Sequence, residues 1–257
     1  MTTTTPTAPA RATTAPAVCP TRLDTARLSP RFDDLHYSVR RYFVDEFFER
    51  HVAALTPGSR VVDVGGIKGR KRGQFDIGRF DLRVTYVNTS PAANPDILGD
   101  ACDVPLPDSS ADAVILAEVA EHLPDPLAAI REAARLLAPG GVLLCTAPFL
   151  FRIHPDPVDV GRYAPDWWRE ALSHAGLGEI EIESQGAFFS TLAEFVRGWA
   201  KHLSDTRTFP PASEAPFLSF VRWARQEAFA AEIAAGPTIH PYYASFTTGF
   251  GVRAVKP

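Results

Sequence analysis

The stretch Val61-Val62-Asp63-Val64-Gly65-Gly66-Ile67-Lys68-Gly69 constrains this chain more than any other. Three valines around one acid, halted by glycines, read as a buried parallel strand running into a tight loop. A strand buried on both faces needs neighbouring strands and covering helices. Gly65, Gly66 and Gly69 permit positive φ and carry no Cβ, so backbone N–H groups there can face a small polar molecule at the mouth of a sheet. Gly-Gly after a strand also serves as an ordinary turn, so the rest of the chain must decide between the two.

The rest of the chain supplies the neighbours. Apolar residues between Phe32 and Leu55 recur at helical spacing and predict one or two helices before the first strand. Tyr37, Arg40 and Arg41 lie in this region and could reach over the site, but an amphipathic helix capping the sheet explains them more cheaply. Strands are expected at Leu82–Val87 (ending at Asn88), Asp96–Leu98, Ala113–Leu116 and Val142–Thr146, with a helix from Pro126 to Leu137 stopped by Pro139-Gly140-Gly141. Gly73 and Gly78 interrupt the short link between the first two strands, so its crossover helix should be short or irregular. A helix from Pro165 to His174, a strand at Glu179–Glu183, helices at Phe188–Leu203 and Phe217–Ala235, and a last strand at Tyr243–Val255 complete the pattern. Alternation of this kind indicates an α/β fold in which a parallel sheet is covered on both faces, with ligands at the carboxyl ends of its strands. The aromatic stripe Leu192, Phe195, Val196, Trp199 and Leu203 is read as core by default, and otherwise as dimer surface or lid.

Residues 1–22, mostly Thr, Ala and Pro, bury too little to offset ordering and are expected to be a disordered tail; 23–257 is expected to be one domain with a helical insertion at 186–242. A net charge of -4 gives no bulk attraction to nucleic acid or anionic membranes. Cys19, Cys102 and Cys145 have neither disulfide-framework nor zinc-finger spacing, and no apolar run is long enough to span a bilayer, so a cytoplasmic protein is expected.

Further motifs follow the glycine loop: Gly99-Asp100-Ala101, Pro105 to Asp112, Glu118-Val119-Ala120-Glu121-His122-Leu123-Pro124-Asp125-Pro126 and Leu137-Ala138-Pro139-Gly140-Gly141. In this order they resemble the successive motifs of class I S-adenosylmethionine-dependent methyltransferases, most closely the type 11 group, over residues 55 to 185. The resemblance implies a Rossmann-like seven-stranded sheet with an antiparallel last strand, S-adenosylmethionine as cofactor and methyl transfer to a small-molecule acceptor such as a secondary metabolite or sugar-containing compound. It implies that Gly65, Gly66 and Gly69 line the methionine part of the cofactor with Asp63 orienting the loop. Asp100 and Ala101 correspond to the adenine site with Cys102 beside it, and Glu118 lies next to cofactor and substrate. A Rossmann dehydrogenase is disfavoured, because the loop lacks the second glycine of GxGxxG. The expected partners are a small-molecule substrate and at most a second copy of the chain, with no nucleic acid and no membrane.

Two positions depart from the family. Asn88 stands where an acid usually holds the ribose hydroxyls, and a neutral amide bonds more weakly than a carboxylate. Ile67 replaces a glycine and cannot easily take positive φ. These departures support an alternative, a degenerate methyltransferase fold acting as a binding or scaffolding subunit; altered chemistry at the same cofactor is a third option. Lys68, Arg70, Lys71 and Arg72 crowd the loop exit, either as a solvated turn or as an attraction for an anionic substrate. In the loop Phe149 to Tyr163, His154 is the candidate catalytic base, with Asp156 or Asp159 to orient it. Asp159, Arg162 and Tyr163 form a candidate substrate wall; alternatively Asp159 simply pairs with Arg162. His154, Asp156 and Asp159 offer few ligands for a metal, and no metal site is expected.

Overall fold

Alternation along each strand sorts side chains onto two faces, and the sheet is assembled from that sorting. The computed structural model describes residues 19–20, 23–24, 31, 33–69, 73–210 and 212–257. Eight strands form one sheet: β1 (Cys19–Pro20), β2 (Arg60–Val64), β3 (Arg83–Asn88), β4 (Ile97–Leu98), β5 (Ala111–Ala117), β6 (Leu137–Pro148), β7 (Gly178–Ser184) and β8 (Gly249–Val255). Their order is β1-β7-β8-β6-β5-β2-β3-β4. Strands β2 to β6 pair in parallel, and β8 runs antiparallel between β6 and β7. This is the seven-stranded, mostly parallel sheet of a Rossmann-like fold, with the two-residue β1 added beside β7. The remainder of the expected tail lies outside the described residues, as do Arg70, Lys71 and Arg72.

Val61, Ala113, Ile115 and Leu144 face one side of the sheet, where α1 (Val39–Ala53) packs Val44, Phe47, Phe48 and Val52 on them. Their sequence neighbours Val62, Val64, Val114, Leu116, Leu143 and Cys145 face the other side. There α2 (Pro126–Leu136) brings Ala129, Ile130 and Ala133, and α3 (Pro165–His174) brings Trp168 and Leu172. The helix starts are set locally. Ser38 accepts from the Arg41 N–H at 2.9 Å, and Asp125 from the Ala128 N–H at 3.0 Å, caps of a kind worth about 1 kcal/mol each. Proline takes the first position of α2 and α3, where its missing N–H leaves nothing unpaired. Between β2 and β3 the crossover is reduced to the 3-10 turn Ile77–Arg79, as Gly73 and Gly78 predict.

Three expectations are corrected. β6 begins at Leu137, because the Gly140 N–H donates to Lys256 O (2.8 Å) and the Lys256 N–H to Gly141 O (2.9 Å), drawing the Pro-Gly-Gly turn into the ladder. β8 begins only at Gly249: Pro241 starts the short helix α6 (Pro241–Ala244), and Tyr243 and Phe246 pack on the ring of Phe188 at 5.4 and 5.1 Å. The third concerns the inserted helices, which form as α4 (Phe188–Thr206) and α5 (Glu214–Ala235). The stripe expected as core faces outward, with Phe195 56% and Trp199 57% exposed. α4 instead buries Ser190, Thr191, Ala193, Glu194, Arg197 and Ala200. Small side chains let α5 approach, and the buried charges satisfy one another: Arg197 Nε donates to Glu194 Oε2 at 3.0 Å, which also accepts the Val39 N–H at 2.9 Å. No helix among the described residues is long and apolar enough to cross a membrane.

Candidate active site

Sheet order reverses between β2 and β5, so a crevice opens where their carboxyl ends diverge. A cleft of ≈ 720 Å³ lies there, with Gly65, Asn88, Asp100, Ala101 and Glu118 on its walls. His122 and Asp156 also line it, so the loop after β6 reaches the same space. Asp63, Gly66 and Gly69 face a second pocket of ≈ 370 Å³ across the glycine loop, shared with Arg41 and Asp45 of α1. Cys102 is set back from both pockets: its N–H donates to Asp100 Oδ1 at 2.8 Å and its thiol to Asp125 O at 3.6 Å. Burial, with Asp100 and Asp125 nearby, pushes its pKa up to about 11, so it is a neutral small contact.

The glycine loop is held from both sides. Gly65 has φ +84°, and a Cβ there would lie 2.5 Å from Val119 Cγ2, so this position admits only glycine without rearrangement. A Cβ at Gly66 would collide with the Asp63 carboxylate, which places that acid directly behind the loop. Ile67 keeps negative φ; Gly65 and Gly69 take the turns, and the Lys68 N–H donates to Ala93 O at 3.0 Å. Lys68 itself is paired with Asp96. Asn88 uses both ends of its amide: Nδ2 donates to Gly66 O at 3.1 Å and Oδ1 accepts the Ser90 N–H at 2.9 Å. An aspartate could not make the first bond.

Glu118 follows β5 with φ +56°, a left-handed conformation that turns its carboxylate toward α1. Arg40 Nε donates to Glu118 Oε2 at 3.0 Å, and the same guanidinium bonds Glu118 Oε1 and Gln185 Oε1. Burial alone would raise the Glu118 pKa; Arg40 outweighs it and holds the carboxyl below its usual value, hence ionised. Arg40 is therefore a site residue and more than a capping-helix residue. Gly249 is the position that leaves room for its guanidinium.

The loop after β6 brings His154 to Asp159 and to the Glu121-His122 step, but not to Asp156. The His154 N–H donates to Asp159 Oδ2 at 2.8 Å, and its Nδ1 lies 3.3 Å from the same oxygen. Asp156 stands on the cleft wall and forms no hydrogen bond or ion pair with His154 among the described residues. The orienting acid is thus Asp159, and the catalytic assignment of Asp156 is corrected to a wall position. Arg162 bonds Asp159 through two nitrogens and holds its carboxyl well below the usual range. Tyr163 stacks on Trp167 at 4.1 Å and donates to Ala120 O at 3.4 Å. Asp159, Arg162 and Tyr163 hold the loop rather than line the cleft. Burial lowers the His154 pKa, leaving the ring neutral near pH 7.

Beside His154 is a pair of residues, Glu121 and His122, to which the sequence motif alone assigns no role. The His122 and His154 rings are 5.2 Å apart, and both Nε2 atoms face Glu121 Oε1, at 3.6 and 3.8 Å. Glu121 is 0% exposed, and burial next to Glu118 raises its pKa to about 8.

A cleft at the switch point of a Rossmann-like sheet is a place where such folds can take a nucleoside-containing cofactor. The residues fit S-adenosylmethionine. The loop offers backbone at Gly65 with no side chain in the way, and the Asp100 carboxylate on the cleft wall can accept from an exocyclic amine. Glu118 supplies an ionised carboxylate at the far end.

Residues 62–145 match the family model described as "Methyltransferase domain". An uncharacterized methyltransferase of Mycobacterium tuberculosis is 40% identical over 93 residues, 33% of this chain and 37% of that protein. A ubiquinone/menaquinone biosynthesis C-methyltransferase of Caulobacter vibrioides is 48% identical over 81 residues, 30% of this chain and 32% of that protein. The match thus spans well under half the length of these curated relatives. A SAM-dependent methyltransferase structure from Archaeoglobus fulgidus superposes with a TM-score of 0.55 at 15% identity, covering 91% of this chain and 100% of that one, a likeness of fold. Residues 62–145 are thus similar to a methyltransferase domain, in a fold like that of a SAM-dependent methyltransferase.

Proposed function

We propose that this protein transfers a methyl group from S-adenosylmethionine to an oxygen or nitrogen atom of a small-molecule acceptor. One observation carries the reading: Gly65, Asn88, Asp100 and Glu118, from four separate segments, share one cleft wall, and His122 stands on the same cleft. The matched relatives, methyltransferases by name, support it. When bound, S-adenosylmethionine supplies a methyl group already activated by its sulfonium. The chain's own task is therefore alignment, exclusion of water and removal of a proton.

Asp100 and the Gly65 backbone hold the two ends of the cofactor, and Glu118 presents its carboxylate, kept charged by Arg40, to a cationic group. His154 is the proton acceptor in the ion-free protein: its Nδ1 meets Arg152 O at 3.1 Å, so Nε2 keeps the lone pair. Asp159 orients the ring, and His122, whose ring lies 5.2 Å away, lines the cleft. The test is mass spectrometry of cell-extract compounds incubated with enzyme and cofactor. One or more compounds should gain a single methyl group, and His154→Ala should slow this by about 10²-fold or more. Full turnover by the variant would remove His154 from the mechanism.

A second reading, a non-catalytic binding subunit, is favoured by Asn88, whose amide is spent on the Gly66 carbonyl and the Ser90 N–H. It predicts that S-adenosylhomocysteine binds without any extract compound being methylated.

A further inference from the structure

Glu121, His122 and His154 form a cluster that proton transfer from an acceptor does not use up. Neither carboxylate oxygen of Glu121 has a hydrogen-bond partner among the described residues, although the side chain is wholly buried. Its Oε1 is 3.6 Å from His122 Nε2 and 3.8 Å from His154 Nε2, and one ligand atom from each residue lies within 4.8 Å of the others. Contacts of 3.6 and 3.8 Å are too long to be hydrogen bonds.

The opposite ring nitrogens are already committed. His122 Nδ1 meets Val158 O at 2.6 Å, and His154 Nδ1 meets Arg152 O at 3.1 Å. A carbonyl can only accept, so each Nδ1 carries the hydrogen and each neutral ring turns a bare Nε2 lone pair toward Glu121. Two ring nitrogens and a buried carboxyl oxygen therefore converge within 4.8 Å of one another. One proton can join only one pair among these three atoms, whereas a divalent cation joins all three. Backbone carbonyls fixing the far nitrogens are also the outer shell that metal-bound histidines require, and Asp159 reinforces the one at His154.

We propose that Glu121 Oε1, His122 Nε2 and His154 Nε2 bind one divalent transition-metal ion of the zinc or ferrous class. Two imidazoles and one carboxylate suit those ions, whereas magnesium and calcium prefer all-oxygen sites. Ligand atoms around an ion at about 2.0–2.2 Å lie roughly 3–3.5 Å apart, so the cluster closes slightly on loading. His122 lines the cleft, which puts the ion at the cleft's border. The ion takes the lone pair that His154 otherwise offers to a proton, and in the loaded protein an acceptor oxygen is activated by polarisation instead. Ion binding itself does not depend on the methyltransferase reading.

The experiment uses untagged, full-length protein stripped with a chelator, titrated with Co²⁺ and followed by visible absorption, and with Zn²⁺ by calorimetry. One equivalent per chain is expected for each ion. Glu121→Gln, which keeps size and shape, and His154→Ala should each weaken binding by at least about 10- to 100-fold. His202→Ala, on the exposed side of α4, should leave it unchanged. Thermal melts check that each variant is folded. No saturable binding at millimolar Co²⁺ or Zn²⁺, binding indifferent to both cluster variants, or equal loss in His202→Ala would overturn the proposal. S-adenosylhomocysteine titrated into the stripped protein separates the two readings, since that cofactor product can bind whether or not the ion does.

Discussion

At position 88 the side chain must donate as well as accept, and only an amide does both. Nδ2 holds the Gly66 carbonyl while Oδ1 holds the turn at Ser90, so Asn88 ties the glycine loop to the end of β3. Asn88→Asp removes a donor and sets an anion against a carbonyl. Losing about 1 kcal/mol of hydrogen bonding should weaken S-adenosylhomocysteine about fivefold or more in calorimetry; tighter binding would show that an acid here reaches the cofactor instead. Arg40 carries a larger share. With its partner truncated in Arg40→Ala, the Glu118 charge is left buried and uncompensated, and unfolding in urea should register a loss of about 3–5 kcal/mol. A loss below about 1 kcal/mol would mean that Glu118 finds another partner or protonates cheaply. His51 sets a pH dependence. Burial first, then Arg50 and Arg253, push its pKa from 6.5 down to about 4. The unfolded chain therefore takes up this proton before the folded one, so the contribution is intact above pH 6.5 and is lost as pH falls toward 4. Discounted for the solvent that still reaches the ring, it amounts to roughly 1–2 kcal/mol. His51→Phe, which keeps a ring against Phe47, should flatten the urea midpoint between pH 7 and 4.5; an unchanged slope would exclude His51 as its source.

At the scale of elements, α4 is the clearest departure from expectation. Its apolar spacing was legible, but spacing identifies a face and does not say what covers it. The buried face is the one with Ala193 and Ala200, the close approach to α5 and the internal Glu194–Arg197 pair. Trp199→Gln should therefore change unfolding free energy by less than about 1 kcal/mol, while Ala200→Leu should lose about 1–3 kcal/mol through overpacking. The reverse ranking would return the stripe to the core. The strands of the sheet and helices α2 and α3 were readable because β-branched runs, a proline at the first turn and an aspartate cap act locally. β8 was overextended, since Tyr243 and Phe246 alternate like strand residues yet pack on Phe188. Arg40 and His122 could not be assigned to the site from spacing, because their partners Glu118 and His154 are brought to them by the fold. The Glu121-His122 doublet in a loop after a buried strand was the one local signal for the cluster.

For the whole molecule, the parallel sheet, with its order reversing between β2 and β5, collects residues far apart in sequence into one crevice. The glycine loop, the Asp100 turn, Glu118, His122 and Asp156 all line that crevice. Of the cofactor contacts expected from the resemblance, Gly65, Asn88, Asp100, Ala101 and Glu118 line the cleft, Asp63, Gly66 and Gly69 face the second pocket, and Cys102 is set back from both. The family-specific departures at Asn88 and Ile67 are absorbed by the loop's own hydrogen bonds, so they reshape the cradle without closing it. The central claim is that this cleft binds S-adenosylmethionine or its product. Calorimetric titration of S-adenosylhomocysteine into the full-length protein tests it directly: one equivalent should bind at micromolar concentration, weakened about tenfold by Asp100→Ala. No heat at millimolar ligand, or binding that Asp100→Ala leaves untouched, would contradict the account.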